Sequence, residues 1–144
     1  MVVIISKKKE EKLAELVREF FAAHPGIKII AVTGSAGKAS AKIAIGTVLA
    51  QQFNIRLNEE EPRTKADVLL QLMGINMPEK GIFRWLRLRR KIKKYIKTEN
   101  SAVQLIVQEF NPQEPGYNEW FRSYIIPDIT IVTSVTNGRM QVEH

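Results

Sequence analysis

The sequence predicts an α/β domain with a mainly parallel sheet enclosed by helices in three layers. Three apolar, β-branched segments have the length of strands: Ile27–Thr33, Ala102–Glu109 and Asp128–Thr133. Stretches with helical periodicity separate them, and such alternation is typical of parallel βαβ units. With 144 residues, of which 44% are hydrophobic, the chain is long enough for one domain with a buried core.

The first predicted element is a helix over Lys7–Ala23, which the sequence His24-Pro25-Gly26 ends. Its large apolar residues recur at helical spacing: Leu13, Leu16, Val17, Phe20 and Phe21. We expect this stripe to dock on the domain or on a second copy, because it would otherwise be exposed. Residues 1–26 are therefore predicted to form a helical extension, and residues 27–144 the main domain.

Four further helices are predicted after the first strand. Their expected ranges are Lys38–Phe53, Ala66–Met73, Ile82–Lys97 and Tyr117–Tyr124. The polar, proline- or glycine-containing segments between them predict loops over Asn54–Arg63, Asn76–Gly81 and Asn111–Gly116.

Composition excludes several kinds of site. The chain has no cysteine, which excludes disulfides, thiolate catalysis and Cys-based zinc sites, and two histidines are too few for a His-rich metal site. Its net charge of +7 favours an anionic partner without choosing among a nucleotide, a nucleic acid and a membrane surface. We found no apolar stretch long enough to span a bilayer and no secretory signal, so we expect a cytoplasmic protein.

The segment from Thr33 to Ser40 carries the clearest chemical pattern, Thr33-Gly34-Ser35-Ala36-Gly37-Lys38-Ala39-Ser40. A buried strand leads into a loop bounded by two glycines, and a helix follows directly. Backbone N–H groups at such a helix N-terminus bind phosphate, and Lys38 adds a positive charge. The alternative is an ordinary glycine-rich turn with a surface lysine. Because strand, loop, lysine and helix agree, we predict a phosphate site.

Glu109 ends the second predicted strand. It therefore lies at the carboxyl ends of the strands, where open α/β folds bind ligands. A carboxylate near a phosphate loop can hold Mg²⁺ directly or through water. The alternative is a strand-end acid that faces solvent. We favour the magnesium role for Glu109.

These motifs, with others in the same order, resemble the central domain of the Mur ligases, ATP-dependent amide ligases of peptidoglycan precursor synthesis. The loop is similar to the family's TG-x-x-GK-[TS]-[TS] sequence. Asn58 to Ile75, the strand that ends at Glu109 with the Pro115-Gly116 turn, and Pro127 to Val135 also resemble family segments. The resemblance covers roughly residues 27–143, and the branch that adds D-alanyl-D-alanine to the UDP-MurNAc-tripeptide is most similar.

The resemblance implies a P-loop-type fold that is part of a Mur ligase central domain. It implies ATP binding by residues 33–40, with Lys38 and Glu109 as catalytic residues. In the family, ATP phosphorylates the carboxylate of a UDP-MurNAc-peptide and leaves ADP, and an amine then attacks the acyl phosphate and releases inorganic phosphate. The family's UDP-binding domain, its carbamylated lysine and its C-terminal domain have no counterpart in this sequence. We therefore expect this chain alone to bind ATP without completing ligation.

Two departures from the family weaken the implied metal site. Ala39 lacks the hydroxyl that the family places on Mg²⁺, and the neighbouring Ser40 points about 100° away on a helix. Arg139 falls where the family has a metal-binding histidine. Glu109 and Ser40 remain as possible metal ligands, and we expect weak coupling to Mg²⁺. A natural fragment, a degenerate homologue and a deliberately altered copy of a family member all fit these departures.

The helix predicted over Ile82–Lys97 is strongly basic, and residues 80–97 contain no acidic residue. Such a helix can bind a membrane surface, an acidic partner or a nucleic acid backbone, or it can mediate self-association. The plainer alternative, which we favour, is a surface helix with an inward apolar side and solvated charges. No set of stacking aromatics accompanies it, so we expect no specific nucleic acid partner. A non-catalytic interaction module that uses this helix is the second functional hypothesis.

Overall fold

The computed structural model describes residues 5–58, 60–77, 81–98, 102–111 and 116–135. These residues form helices and strands in an alternating order. In chain order the elements are α1 (Lys7–Ala23), β1 (Lys28–Thr33), α2 (Lys38–Leu49), β2 (Ile55–Leu57), α3 (Lys65–Met73), α4 (Arg84–Thr98), β3 (Leu105–Glu109), α5 (Tyr117–Arg122) and β4 (Ile129–Val132).

The four strands form one sheet in the order β2-β3-β1-β4, and every neighbouring pair is parallel. The prediction of an α/β fold with a parallel sheet is therefore confirmed, and the three predicted strands are β1, β3 and β4. Within the core of the sheet, Val32 of β1 lies beside Glu109 of β3, and Thr33 lies beside Val132 of β4.

Strand β2 corrects the prediction of a continuous loop over Asn54–Arg63. Ile55–Leu57 pairs with β3 at the edge of the sheet. A strand of three residues is too short to show an alternating pattern, and polar residues follow it at once. The pairing partner that makes it a strand comes about 50 residues later in the chain.

The two faces of the sheet carry different helices, because successive side chains of a strand point to opposite faces. Ile29, Ala31 and Ile106 join one core cluster with residues of α1, α3, α4 and α5. Ile30, Val32 and Val107 are buried outside that cluster, and α2 contacts β1, β2 and β3. Helix α2 therefore covers one face, and the other helices lie on the opposite side of the sheet, where α3 contacts β3.

Helix α1 docks on the domain, as its apolar stripe predicts. Leu13, Val17 and Phe20 are fully buried, and α1 contacts α3 and α4. The Phe20 ring stacks on Tyr95 of α4 with 5.5 Å between ring centroids and 7° between ring planes. This part of the chain thus shares the main core.

Helix α2 ends at Leu49, earlier than its apolar periodicity predicts, and residues 50–53 form turns. Two of its periodic apolar residues, Ile43 and Val48, are 54% and 70% exposed, whereas Lys42 and Gly46 are buried. A Cβ at Gly46 would lie 2.8 Å from the Leu57 side chain, so the missing side chain lets the helix lie close to the sheet. The other helices differ from their predicted ranges by up to two residues at an end.

None of the described helices has both the length and the apolar character that a membrane crossing requires.

Replacing Phe20 by alanine should lower the free energy of unfolding by about 3–5 kcal/mol, because it removes a fully buried aromatic ring. Urea denaturation followed by circular dichroism measures this change. The matched control is Phe83→Ala, which truncates a ring that is 68% exposed and should cost less than about 1 kcal/mol. Equal losses in both variants would show that α1 does not contribute to the core as described.

Candidate functional site

The predicted phosphate loop leaves β1 at a topological switch point of the sheet. After β1 the chain enters α2 on one face and continues to β2, whereas after β3 it enters α5 on the other face and continues to β4. Neighbouring strands β1 and β3 therefore send their connections in opposite directions. Open α/β sheets bind ligands in the crevice that this arrangement leaves at the carboxyl ends of the strands.

The glycines near the two ends of the loop adopt backbone conformations that other residues rarely reach. Gly34 has φ 135° and Gly37 has φ 77°, so both lie in the positive-φ region. Gly37 is also the N-cap of α2 and lies in the left-handed conformation. The sequence pattern of two closely spaced glycines thus corresponds to a real constraint on the path of the loop.

Residues just beyond β4 hold the loop in place. The Ser35 N–H donates to the Ser134 carbonyl at 3.0 Å, and the Ala36 N–H donates to Ser134 Oγ at 2.9 Å. The Thr133 hydroxyl is within hydrogen-bond reach of the carbonyls of Thr33 and Ala36. A Cβ at Gly34 would overlap Thr133 Oγ1, so the absence of a side chain there permits this close approach.

The start of α2 offers the hydrogen-bond donors that an anion needs. The first intrahelical bond runs from the Ala41 N–H to the Gly37 carbonyl at 3.0 Å. The N–H groups of Lys38, Ala39 and Ser40 precede it and have no partner within the helix. Lys38 Nζ donates to the Gly34 carbonyl at 3.0 Å, which keeps its charge beside the loop. These donors and the helix dipole make the loop suitable for phosphate.

Glu109 is 2% exposed, so it is not a strand-end acid that faces solvent. Its Oε2 accepts a hydrogen bond from Lys42 Nζ at 3.2 Å, and Lys42 is 1% exposed. Lys42 and Lys38 are four residues apart on α2 and therefore lie on the same side of the helix. The structure thus places an ion pair directly behind the phosphate loop, with Lys42 beside the predicted magnesium ligand.

The described residues fit a phosphate better than a magnesium ion. The Glu109 carboxylate is already neutralised by Lys42, Ala39 supplies no side-chain oxygen, and Ser40 is exposed. Within the described part of the chain, no three acidic or histidine side chains form a metal-binding group. Arg139, which the family resemblance places at a metal-ligand position, lies outside the described residues.

Sequence reasoning overlooked Lys42, and it assigned no role to Ser134. Lys42 has a detectable signal, since a lysine four residues after Lys38 must share its helix face. Thr133 and Ser134 have no such signal. Their role depends on the pairing of β4 with β1, which brings residues about 100 positions apart into contact.

The basic helix does not contribute to this site. Helix α4 packs on α1, and its buried residues Leu88 and Ile92 belong to the core cluster on the face opposite α2. Its inward apolar side and outward charges agree with the favoured interpretation of a surface helix.

Comparison with protein-family models, with curated proteins and with solved structures finds no match to this chain. The sequence motifs and the geometry of the loop therefore carry the functional argument.

Breaking the buried ion pair from one side should destabilise the protein strongly. We expect Lys42→Met or Glu109→Gln alone to lower the free energy of unfolding by about 3–5 kcal/mol, because each substitution leaves a buried polar or charged side chain without its partner. The double variant should lose clearly less than the sum of the two single losses, because it leaves no uncompensated buried charge. Urea denaturation of the four proteins measures the cycle, and single losses below about 1 kcal/mol would contradict a buried pair.

Gly34→Ala should disturb the loop, because the new Cβ meets Thr133 and the backbone φ is unfavourable for alanine. We expect a loss of about 1–3 kcal/mol in the free energy of unfolding. Gly26→Ala is the matched control, since a Cβ there meets nothing within 4 Å. If both substitutions have the same small effect, Thr133 does not hold the loop as described.

Proposed function

We propose that this chain is the ATP-binding part of a Mur ligase-like, ATP-dependent amide ligase, and that residues 33–40 bind the phosphates of ATP. The observation that carries the proposal is the loop itself. Its two positive-φ glycines lead into α2, where three N–H groups and Lys38 are available to an anion. The ordered motifs that resemble the family support ATP as the source of that anion.

Each part of the loop has a distinct task in this proposal. The N–H groups of Lys38, Ala39 and Ser40 bind phosphate oxygens at the positive end of α2. Lys38 exchanges the Gly34 carbonyl for an outer phosphate, where its charge stabilises the ATP phosphates most strongly. Thr133 and Ser134 keep Ser35 and Ala36 in position, so the loop needs little reorganisation when it binds.

Mg²⁺ has a smaller part in the proposal than the family resemblance implies. Lys42 already supplies a positive charge to Glu109, so the carboxylate has less need of a metal. A metal ion that accompanies ATP would neutralise phosphate charge in the usual way. Glu109 is buried against Lys42, whereas Ser40 is exposed two residues earlier on α2, so the two side chains face different directions. We propose that the protein therefore holds such an ion only weakly.

The Lys42–Glu109 pair also favours the second hypothesis, a non-catalytic homologue. An ion pair at the predicted metal position preserves the fold and the loop while it weakens the groups that phosphoryl transfer requires. The two hypotheses differ in whether the chain binds ATP and in how that binding depends on Mg²⁺.

Calorimetric titration of ATP tests the proposed site. Lys38→Ala should weaken ATP binding by about tenfold to a hundredfold, with or without Mg²⁺, because it removes a charge-assisted hydrogen bond. Lys7→Ala, which removes an equal charge from the exposed start of α1, should leave the affinity unchanged. If Lys38→Ala binds ATP as well as the original chain, the loop is not a phosphate site.

The same titration tests the metal site. Ala39→Thr should strengthen ATP binding only when Mg²⁺ is present, because it restores a ligand oxygen. Ala39→Val is the control, since it adds a side chain of similar shape without that oxygen. If threonine does not strengthen ATP binding in the presence of Mg²⁺, the missing hydroxyl is not the cause of the weak metal site, and Arg139 and the Lys42–Glu109 pair are the next candidates.

A further inference from the structure

The positive charge of this protein is concentrated on one helix. Helix α4 has the sequence RWLRLRRKIKKYIKT, with eight basic residues and no acidic residue. The whole chain has 22 basic and 15 acidic residues, so 14 basic and 15 acidic residues remain outside α4. The net charge of +7 is therefore a property of α4 and not of the whole surface.

These charges are not neutralised within the described part of the protein. The ion pairs among the described residues join Lys12 to Glu15, Lys28 to Asp128 and Lys42 to Glu109, and none involves α4. Six basic residues lie on the exposed side of α4: Arg87, Arg90, Lys91, Lys93, Lys94 and Lys97.

An exposed apolar tip precedes this basic face. Ile82 is 97% exposed and Phe83 is 68% exposed, and Leu86 in the first turn of α4 is exposed as well. A Cβ at Gly81 would lie 2.7 Å from the Arg87 guanidinium, so that cation lies beside the residue that precedes the tip. Large apolar side chains surrounded by cations are typical of a surface that enters a lipid interface.

Helix α1 adds further positive charge at the same end. Ile5, Ser6 and Lys9 line a cavity of about 520 Å³ together with Ile82 and Trp85, whereas Phe20 stacks on Tyr95. The two helices therefore run side by side in the same direction. Their N-termini lie together, and the positive ends of both helix dipoles face the tip. Glu11 and Glu15 line the next groove, but Lys8, Lys9, Lys12 and Arg89 outnumber them there.

We propose that this surface, defined as Ile82, Phe83, Leu86 and the exposed basic face of α4, binds a membrane that contains anionic lipids. The apolar tip enters the interface while the cations of α4 pair with lipid phosphates. Each basic residue near an anionic bilayer contributes on the order of a few-fold in affinity, so several together give stable attachment. Because α4 and α2 cover opposite faces of the sheet, this role does not depend on ATP binding.

The exposed apolar tip favours a membrane over a nucleic acid. A nucleic acid backbone would use the cations equally well, but it gains little from an isoleucine and a phenylalanine surrounded by charge. Binding of single-stranded nucleic acid uses aromatic side chains on which bases stack, and on α4 both Trp85 and Tyr95 are turned towards the core cluster.

Sedimentation with vesicles tests the proposal on the full chain. Vesicles of phosphatidylcholine should bind little, whereas vesicles with about one third phosphatidylglycerol should bind the protein, and added salt should weaken this binding. Arg90→Gln with Lys94→Gln should weaken it about 30-fold. Ile82→Ser with Phe83→Ser should weaken it about tenfold while the charge is unchanged.

Matched control variants test whether vesicle binding uses this surface or only the overall charge and exposed apolar area of the protein. Arg63→Gln with Arg122→Gln removes two exposed cations elsewhere, and Ile43→Ser with Val48→Ser removes two exposed apolar residues from α2. Both should bind vesicles like the original chain, as should Lys38→Ala. Circular dichroism of each variant verifies that it is folded.

Three results would overturn the proposal. The first is absence of binding to the anionic vesicles. The second is an equal loss of vesicle binding in the α4 variants and in the matched controls, which would indicate electrostatic attraction to the vesicle without a defined binding surface. The third is full vesicle binding by the Ile82→Ser, Phe83→Ser variant together with displacement by a duplex oligonucleotide, which would make α4 a nucleic acid surface.

Discussion

The central position of β1 is the constraint on which the rest of the structure depends. The strand pairs with β3 on one side and β4 on the other, and four of its six residues are buried. Because β1 has a neighbour on each side, its chain can leave the sheet only at the carboxyl end of the strand, where the loop begins. The parallel neighbours β3 and β4 have their carboxyl ends on the same side, so the register of the strands places Glu109 and Thr133 beside the loop. The site is therefore a consequence of how the sheet is assembled.

The buried Lys42–Glu109 pair gives that site its electrostatic character. Removing two charges from water costs several kcal/mol for each ion, so such a pair is retained only where each partner satisfies the other. Because Lys42 neutralises Glu109, the remaining charge at the loop comes from Lys38 and the start of α2, and both are positive. An anion is thus the ligand that the local field favours, and a second cation must compete with an internal ammonium group.

Much of the fold could be predicted from the sequence because its elements carry strong local signals. The apolar periodicity of Lys7–Ala23 and the two glycines around Ser35 each indicate their structure without help from distant residues. Three features could not be predicted in this way. Strand β2 exists only because β3 pairs with it, and the loop is held by Ser134. The spacing from Lys38 predicts the helix face of Lys42, but its burial depends on Glu109 opposite. Each of these depends on contacts between residues about 50 to 100 positions apart, and no local pattern encodes such contacts.

The loop after β1 and helix α4 differ in the kind of anion that their donors suit. Around the loop, the donors are backbone N–H groups with fixed directions, supported by one lysine, and such an arrangement selects a compact phosphate group. On α4, the donors are long, mobile side chains spread over four turns of helix, with apolar residues at one end. That arrangement cannot enclose a small ligand, because its charges spread along a convex surface, but it matches an extended anionic layer. The two proposals therefore give the protein a selective anion site and a separate broad contact surface, with the sheet between them.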